Sequence, residues 1–123
     1  MEIIRGIKPE FIDERGEITR LLDKTIQSVL LITCKKGSIR SNHYHKKDSH
    51  WVYIQSGKFE WYEMVIRKTK LEKKILEAGD MVFTPSNVIH ANKALEDGVQ
   101  LAFCTQSRNQ IDYEKDTIRV KLI

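Results

Sequence analysis

Residues 37–57 decide the reading: Gly37-Ser38-Ile39-Arg40-Ser41-Asn42-His43-Tyr44-His45-Lys46-Lys47-Asp48-Ser49-His50, running on through Trp51-Val52-Tyr53-Ile54-Gln55 to Gly57, hold three of the four histidines in the chain. Ile39 to His45 reads as a strand. Side chains two apart on a strand share a face, so His43 and His45 project side by side into whatever that face covers. The polar turn Lys46-Lys47-Asp48-Ser49 can reverse the chain and bring His50 over the same face. His90, the remaining histidine, follows the turn Pro85-Ser86-Asn87 and opens another strand, so a sheet can deliver it to the same place. His-x-His alone is a weak signal, but here the whole histidine complement enters the pattern.

Working outward, the rest of the chain supports strands. Short segments rich in Val, Ile, Tyr, Phe and Thr are broken by Gly, Asn or Asp at intervals of roughly ten residues, the pattern of an all-β domain. Strands are expected at Gly16–Leu22, Ser28–Cys34, Ile39–His45, Trp51–Gln55, Lys58–Ile66, Lys73–Glu77, Met81–Thr84, Ile89–Lys93, Val99–Thr105 and Thr117–Leu122. Val99, Leu101 and Phe103 alternate with Gln100, Ala102 and Cys104, one apolar face and one small or polar face, as a half-buried strand requires. Ser107 to Lys115 has helical spacing but is too polar to predict a helix. Many short strands with turn residues between them predict a sandwich or small barrel.

The 123 residues suit one domain over 1–123, and 41% hydrophobic with 31% charged residues is the composition of a folded globular protein. Twenty-one basic against seventeen acidic side chains leave a formal charge of +4. The lysines are interleaved with glutamates, as in Lys68 to Glu77, which argues against a nucleic-acid face and leaves room for a small anionic ligand. Cys34 and Cys104 lie in apolar runs without the close spacing of a zinc or redox pair, and read as buried thiols. Neither a signal-peptide plan nor an apolar run of membrane-spanning length is seen, so a cytoplasmic location without membrane contact is expected.

The glycines complete a larger pattern. Gly37, five residues, His43-Tyr44-His45, four residues, His50, six residues and Gly57 form one block; Gly79, five residues, Pro85, Asn87 and His90 form another. In order and spacing both resemble the two motifs of the cupin superfamily, which implies a jelly-roll barrel, a double-stranded β-helix, with a central pocket. Cupins commonly carry glutamate where this chain has His50. The resemblance therefore implies a divalent metal on His43, His45, His50 and His90. Four neutral imidazoles favour borderline ions, here iron, manganese, nickel, copper or zinc, over magnesium or calcium. Asn87 stands where the second motif usually has glycine, and asparagine tolerates the same left-handed backbone.

Phe11-Ile12-Asp13-Glu14-Arg15-Gly16 is similar to the Asp-x-Arg-Gly entry strand of dTDP-4-keto-sugar 3,5-epimerases and 3,4-ketoisomerases. Arg40-Ser41-Asn42-His43-Tyr44-His45-Lys46 is similar to the ketoisomerase run Arg-Gly-x-His-x-His-Lys. That resemblance implies His43 as base, His45 assisting it, Arg40 on a phosphate oxygen, and no general need for a metal. Proton transfer beside a sugar ketone needs a base and a positive group for the developing enolate oxygen. An imidazole supplies the base; Arg40, Lys46 or a metal supplies the positive group. If metal takes all the imidazoles, the base is a metal-bound hydroxide or another residue, with Tyr53, Tyr62 and Glu60 as the candidates. Gln55 and Asn92 are candidates for orienting the ligands.

An isomerase or epimerase acting on a keto-sugar is therefore the expected function. A metal-dependent dioxygenase of the four-histidine type and a non-catalytic sugar- or metal-binding module are the alternatives. Edge pairing by Ile3-Ile4-Arg5-Gly6-Ile7 or by the Asp112 to Val120 tail predicts a homodimer.

Overall fold

The computed structural model describes residues 1–123. Twelve strands and one short helix follow the chain as β1 (Glu2–Ile4), β2 (Phe11–Asp13), β3 (Gly16–Ile18), β4 (Ser28–Cys34), β5 (Ile39–His45), β6 (His50–Ser56), β7 (Lys58–Val65), β8 (Glu72–Glu77), β9 (Met81–Thr84), β10 (Val88–Ala94), β11 (Gly98–Cys104), α1 (Gln110–Asp116) and β12 (Thr117–Arg119). Two five-stranded antiparallel sheets face each other, one in the order β1-β9-β6-β11-β4 and the other β12-β5-β10-β7-β8. From β4 onward the chain crosses repeatedly between them, so the sandwich is the rolled-up sheet that the motif spacing predicts. A small hairpin, β2 with β3, stands apart from both.

Packing follows from alternation. Val52 and Ile54 on β6, Phe59 and Trp61 on β7, and Leu76, Val82, Ala94, Ala102 and both cysteines form one core cluster. Each large apolar side chain buried there contributes about 1.5–3 kcal/mol. The cysteines are free and buried, as their apolar surroundings predict.

The first block contains a bulge. β10 pairs with β5 through His90↔His43 and then Ala91↔Ser41, so Asn42 is an extra residue with no partner on β10. Ser41 and Asn42 both have positive φ, +73° and +55°. Ser41 thus adopts the backbone that the related motif provides with glycine. Asn87 likewise sits at φ +64°, the left-handed conformation expected there. The Asn42 side chain accepts from the Leu122 and Ile123 amides at 2.8 and 3.1 Å, tying the last residues against the bulge.

Several elements differ from the sequence reading. The strand expected at Gly16–Leu22 stops at Ile18, and the last strand stops at Arg119 instead of Leu122. Ser107 to Lys115 does contain a helix, Gln110–Asp116, with no buried residue; Asn109 caps it by accepting from the Asp112 amide at 2.9 Å. A cap and local turns suffice where an apolar stripe is missing. In β11 the inward side is the small and polar one: Gln100, Ala102 and Cys104 are buried, while Val99, Leu101 and Phe103 are only half-buried on the outer face.

Candidate functional site

The imidazoles meet inside the roll. Ring centres lie 4.6 Å apart for His43 and His45, 4.7 Å for His43 and His90, 4.8 Å for His50 and His90, and 5.5 Å for His45 and His50. β5 supplies two rings on one face, β6 the third and β10 the fourth, so both sheets contribute. Ligating atoms of His43, His45 and His90 all lie within 4.8 Å of one another, as do those of His45, Asp48 and His50. Behind this cluster the Trp61 indole stacks parallel to His90 at 6.3 Å. The indole N–H donates to the buried Glu63 carboxylate, which also accepts from Thr84.

Hydrogen bonds determine which nitrogens face inward. Thr117 Oγ1 gives its one proton to the Tyr113 carbonyl at 2.6 Å, so toward His45 Nδ1, 3.2 Å away, it acts as acceptor. The His45 proton therefore sits on Nδ1, and Nε2 is a lone pair that accepts from Arg108 Nη2 at 3.4 Å. His90 Nδ1 donates to the Val88 carbonyl at 3.1 Å, again leaving Nε2 bare. His50 Nδ1 lies 3.5 Å from Asp48 Oδ2. His45 and His90 are thus braced from behind, the arrangement by which outer partners orient imidazoles around a reacting centre, whereas His50 Nδ1 makes no hydrogen bond.

The electrostatics keep the rings neutral. Burial, reinforced by neighbouring histidines and by Arg108, pushes His43 down to about 4 and His45 to about 3. His50 and His90 are lowered for the same reason. Asp48, 1% exposed, is the charged group underneath. Burial would raise its carboxyl, but contacts with His50 and Arg108 outweigh that and hold it at about 2. It accepts from Thr105 Oγ1 at 3.2 Å, the Gln106 amide at 3.1 Å and Arg108 Nη2 at 3.0 Å. Arg108 also lies over the Tyr113 ring at 5.2 Å.

These groups line a cavity of about 320 Å³ between the sheets. His43, His50 and His90 reach it, with His45 behind them. Arg40 reaches its rim and donates to the Thr33 carbonyl at 2.9 Å. Asn92 also faces the cavity, but it accepts from Gln100 at 3.0 Å and does not brace a histidine. The other candidates lie elsewhere. Lys46 lines a separate polar groove with Lys47, Lys115 and Asp116. Tyr62 and Glu60 hydrogen-bond to each other on the outer side of β7, where Lys73 joins them. Tyr53 pairs with Leu101 on the outer face of β6, and Gln55 is exposed. Strand parity accounts for Tyr53, Gln55, Glu60 and Tyr62, each one position out of step with an inward neighbour, whereas Lys46 lies in the bend after β5.

Sequence reasoning missed Asp48, Gln100, Arg108 and Tyr113. Asp48 had one available signal, its two-residue spacing from His50. Arg108 and Tyr113 lie in an ordinary polar stretch, and only the return of α1 across the mouth of the roll brings them in.

A family model described as Cupin matches residues 18–118. Among solved structures, a 3,4-ketoisomerase from Helicobacter canadensis superposes with TM-score 0.78 at 18% identity, covering 96% of this chain and 89% of the other. The dTDP-4-dehydrorhamnose 3,5-epimerase from Sulfolobus tokodaii gives 0.77 at 18% identity, over 91% of this chain and 73% of the other. QdtA, a sugar 3,4-ketoisomerase from Thermoanaerobacterium thermosaccharolyticum in complex with TDP, gives 0.72 at 21% identity, over 95% and 85%. No curated protein matches the chain. No helix is long and apolar enough to cross a membrane.

Proposed function

Because the chain belongs to the cupin family, we propose that its histidine cavity is an isomerase or epimerase site that moves a proton at the carbon beside the ketone of a keto-sugar. The supporting observation is the placement of His43, a neutral imidazole, on the same cavity as the Arg108 guanidinium. His43 takes the proton from carbon. The electron pair of that C–H bond moves toward the carbonyl oxygen, and the charge that develops there meets Arg108, held in place by Asp48 and Tyr113. The neighbouring hydroxyl passes its proton to the former carbonyl oxygen and becomes the new ketone, while His43 delivers its proton to the former carbonyl carbon, which completes the isomerisation. Burial keeps the ring unprotonated at neutral pH, so it is ready to accept. Incubation with keto-sugars in deuterated water should place deuterium on the carbon beside the ketone, read by NMR. His43→Asn should slow that exchange by about 10²–10⁴-fold. Failure of the wild type to exchange label into any keto-sugar would overturn the reading.

A second reading has its own support. Bracing of His45 and His90 from behind, with the ligating atoms of His43, His45 and His90 within 4.8 Å of one another, makes a donor set that fits a divalent transition ion. Iron, manganese, nickel, copper or zinc would be held by His43, His45, His50 and His90 and would supply a Lewis acid for a sugar carbonyl. His43 would then be committed as a ligand, leaving Tyr113 as the proton-carrying side chain at the cavity. Arg108, 3.4 Å from His45, opposes a second cation at this point and favours the first reading. Elemental analysis of untagged protein separates the two. Near-stoichiometric metal, lost in His45→Ala, supports the ion; metal-free protein with an intact fold removes it.

A homodimer completes the proposal. The terminal segments close sheet edges within their own chain, β1 on β9 and β12 on β5. The unpartnered surface is the outer face of the first sheet. There Val29, Phe103, Trp51 and Phe83 form one cross-strand row, and Leu31, Leu101 and Tyr53 the next. Leu31 is 69% exposed and Val29 57%. The rows are apolar except at the β1 edge, where Glu2 extends the first past Phe83, so the face suits a second copy of itself. Light scattering should report a dimer for the wild type and a monomer for Leu31→Lys; a monomeric wild type would refute the assignment.

A further inference from the structure

The cavity also narrows the choice of ligand. Gln100 and Asn92 are each 2% exposed and join through one hydrogen bond, Gln100 Nε2 to Asn92 Oδ1 at 3.0 Å. That bond uses one donor and one acceptor. The remaining acceptor, Gln100 Oε1, and the remaining donor, Asn92 Nδ2, have no protein partner, and both residues line the cavity. An acceptor beside a donor matches adjacent hydroxyls of a sugar ring, each of which can donate to one and accept from the other. Leaving such groups unpaired in a bound complex would cost affinity, so they select a hydroxylated ligand.

The charge is one-sided. Arg40 and Arg108 line the cavity and no aspartate or glutamate does. Asp48 answers Arg108 from behind, while the only hydrogen bond of the Arg40 guanidinium is to a backbone carbonyl. The histidines, being neutral, add nothing to balance this. An anion is therefore favoured.

Size and surfaces point against a nucleotide. At about 320 Å³ the cavity lies at the small end of the range that buries a ligand of drug size. Recognition of a base uses an open aromatic face. The two aromatic residues of the lining have none to offer: Trp61 is 1% exposed and stacked on His90, and Tyr113 is covered by Arg108.

We propose that the ligand is a single sugar ring carrying its own anionic group, a carboxylate or a monophosphate, rather than a sugar joined to a nucleoside diphosphate. The ring is read by Gln100 and Asn92, and the anion by Arg40 at the rim, which leaves Arg108 for the enolate oxygen. This assignment rests on the keto-sugar reading of the same site for its chemistry, but its test is binding alone, so the two can fail separately.

Titration calorimetry of the wild-type protein with glucuronate, glucose 6-phosphate, glucose, TDP and TDP-glucose decides it. Glucuronate or glucose 6-phosphate should bind about tenfold or more tightly than glucose, the expected worth of a charge-assisted contact, and the tighter of the two identifies the anion. TDP should bind more weakly than both. Arg40→Gln, at an exposed position, should erase most of the preference for the anionic sugars, and Gln100→Leu should weaken all the sugars about tenfold. TDP binding more tightly than either anionic sugar, glucose matching them, or no sugar binding at millimolar concentration would each overturn the assignment. Solvent-exchange activity without these preferences would leave the isomerase intact and the ligand class wrong.

Discussion

Asp48→Ala is expected to destabilise the protein by about 3–5 kcal/mol, the cost of removing one partner from a buried ion pair. Asp48 is almost wholly buried, and three donors converge on it from Thr105, Gln106 and Arg108. Alanine would strand the Arg108 guanidinium, whose side chain is 13% exposed, against the low-dielectric wall of the roll. The segment after β11 would lose its anchor together with the charge. A fall in melting temperature of about 10–20 °C should follow. Adding Arg108→Met to Asp48→Ala removes the orphaned cation, and should recover a large part of the loss. A single variant within about 1 kcal/mol of wild type by urea unfolding would show that the pair does not hold this loop.

Acid should unfold the metal-stripped protein well before its carboxylates titrate. His43 and His45 have folded-state values near 4 and 3, below the ordinary 6.5, so between these limits the unfolded chain binds protons that the native state excludes. Stability is therefore fully present above about pH 6.5 and is lost as pH falls toward 4. For His43 alone the shift corresponds to about 3 kcal/mol at the bottom of that window. His50 and His90 act in the same direction. Glu63, raised by burial, acts in the opposite one, and Asp48 stays ionised throughout. Urea unfolding at pH 7, 5.5 and 4.5 should show a steep decline; a flat profile would mean that the rings are not buried neutral. The ring proton signals of His43 and His45 should also remain untitrated in the native protein from about pH 7 to about 5.5.

Much of the architecture was legible because it depends on period and punctuation. β4, β5 and β9 fall on the residues expected, and the spacing of His43, His45, His50 and His90 predicted that their rings would meet. Direction was harder to read. β11 shows clear alternation, but an apolar side and a small polar side do not say which faces in when the interior is a ligand cavity and the exterior is itself apolar. The same ambiguity misplaced Tyr53, Tyr62 and Glu60, whose types suit catalysis but whose parity points them outward. Arg108 and Asp48 illustrate a different limit. Their pairing joins a turn after β5 to the loop after β11, and no local pattern records a contact made by the closing of the roll.

The extra residue at Asn42 acts as a phase shifter. In a regular strand, positions three apart look in opposite directions, and Arg40 could not share a chamber with His43. One unpaired residue between them reverses that relation, so the cation at the rim and the first imidazole both open on the same space. Pairing Asn42 in register with Ala91 would straighten the strand and turn Arg40 to the face opposite His43, so the bulge is what keeps both groups on one space.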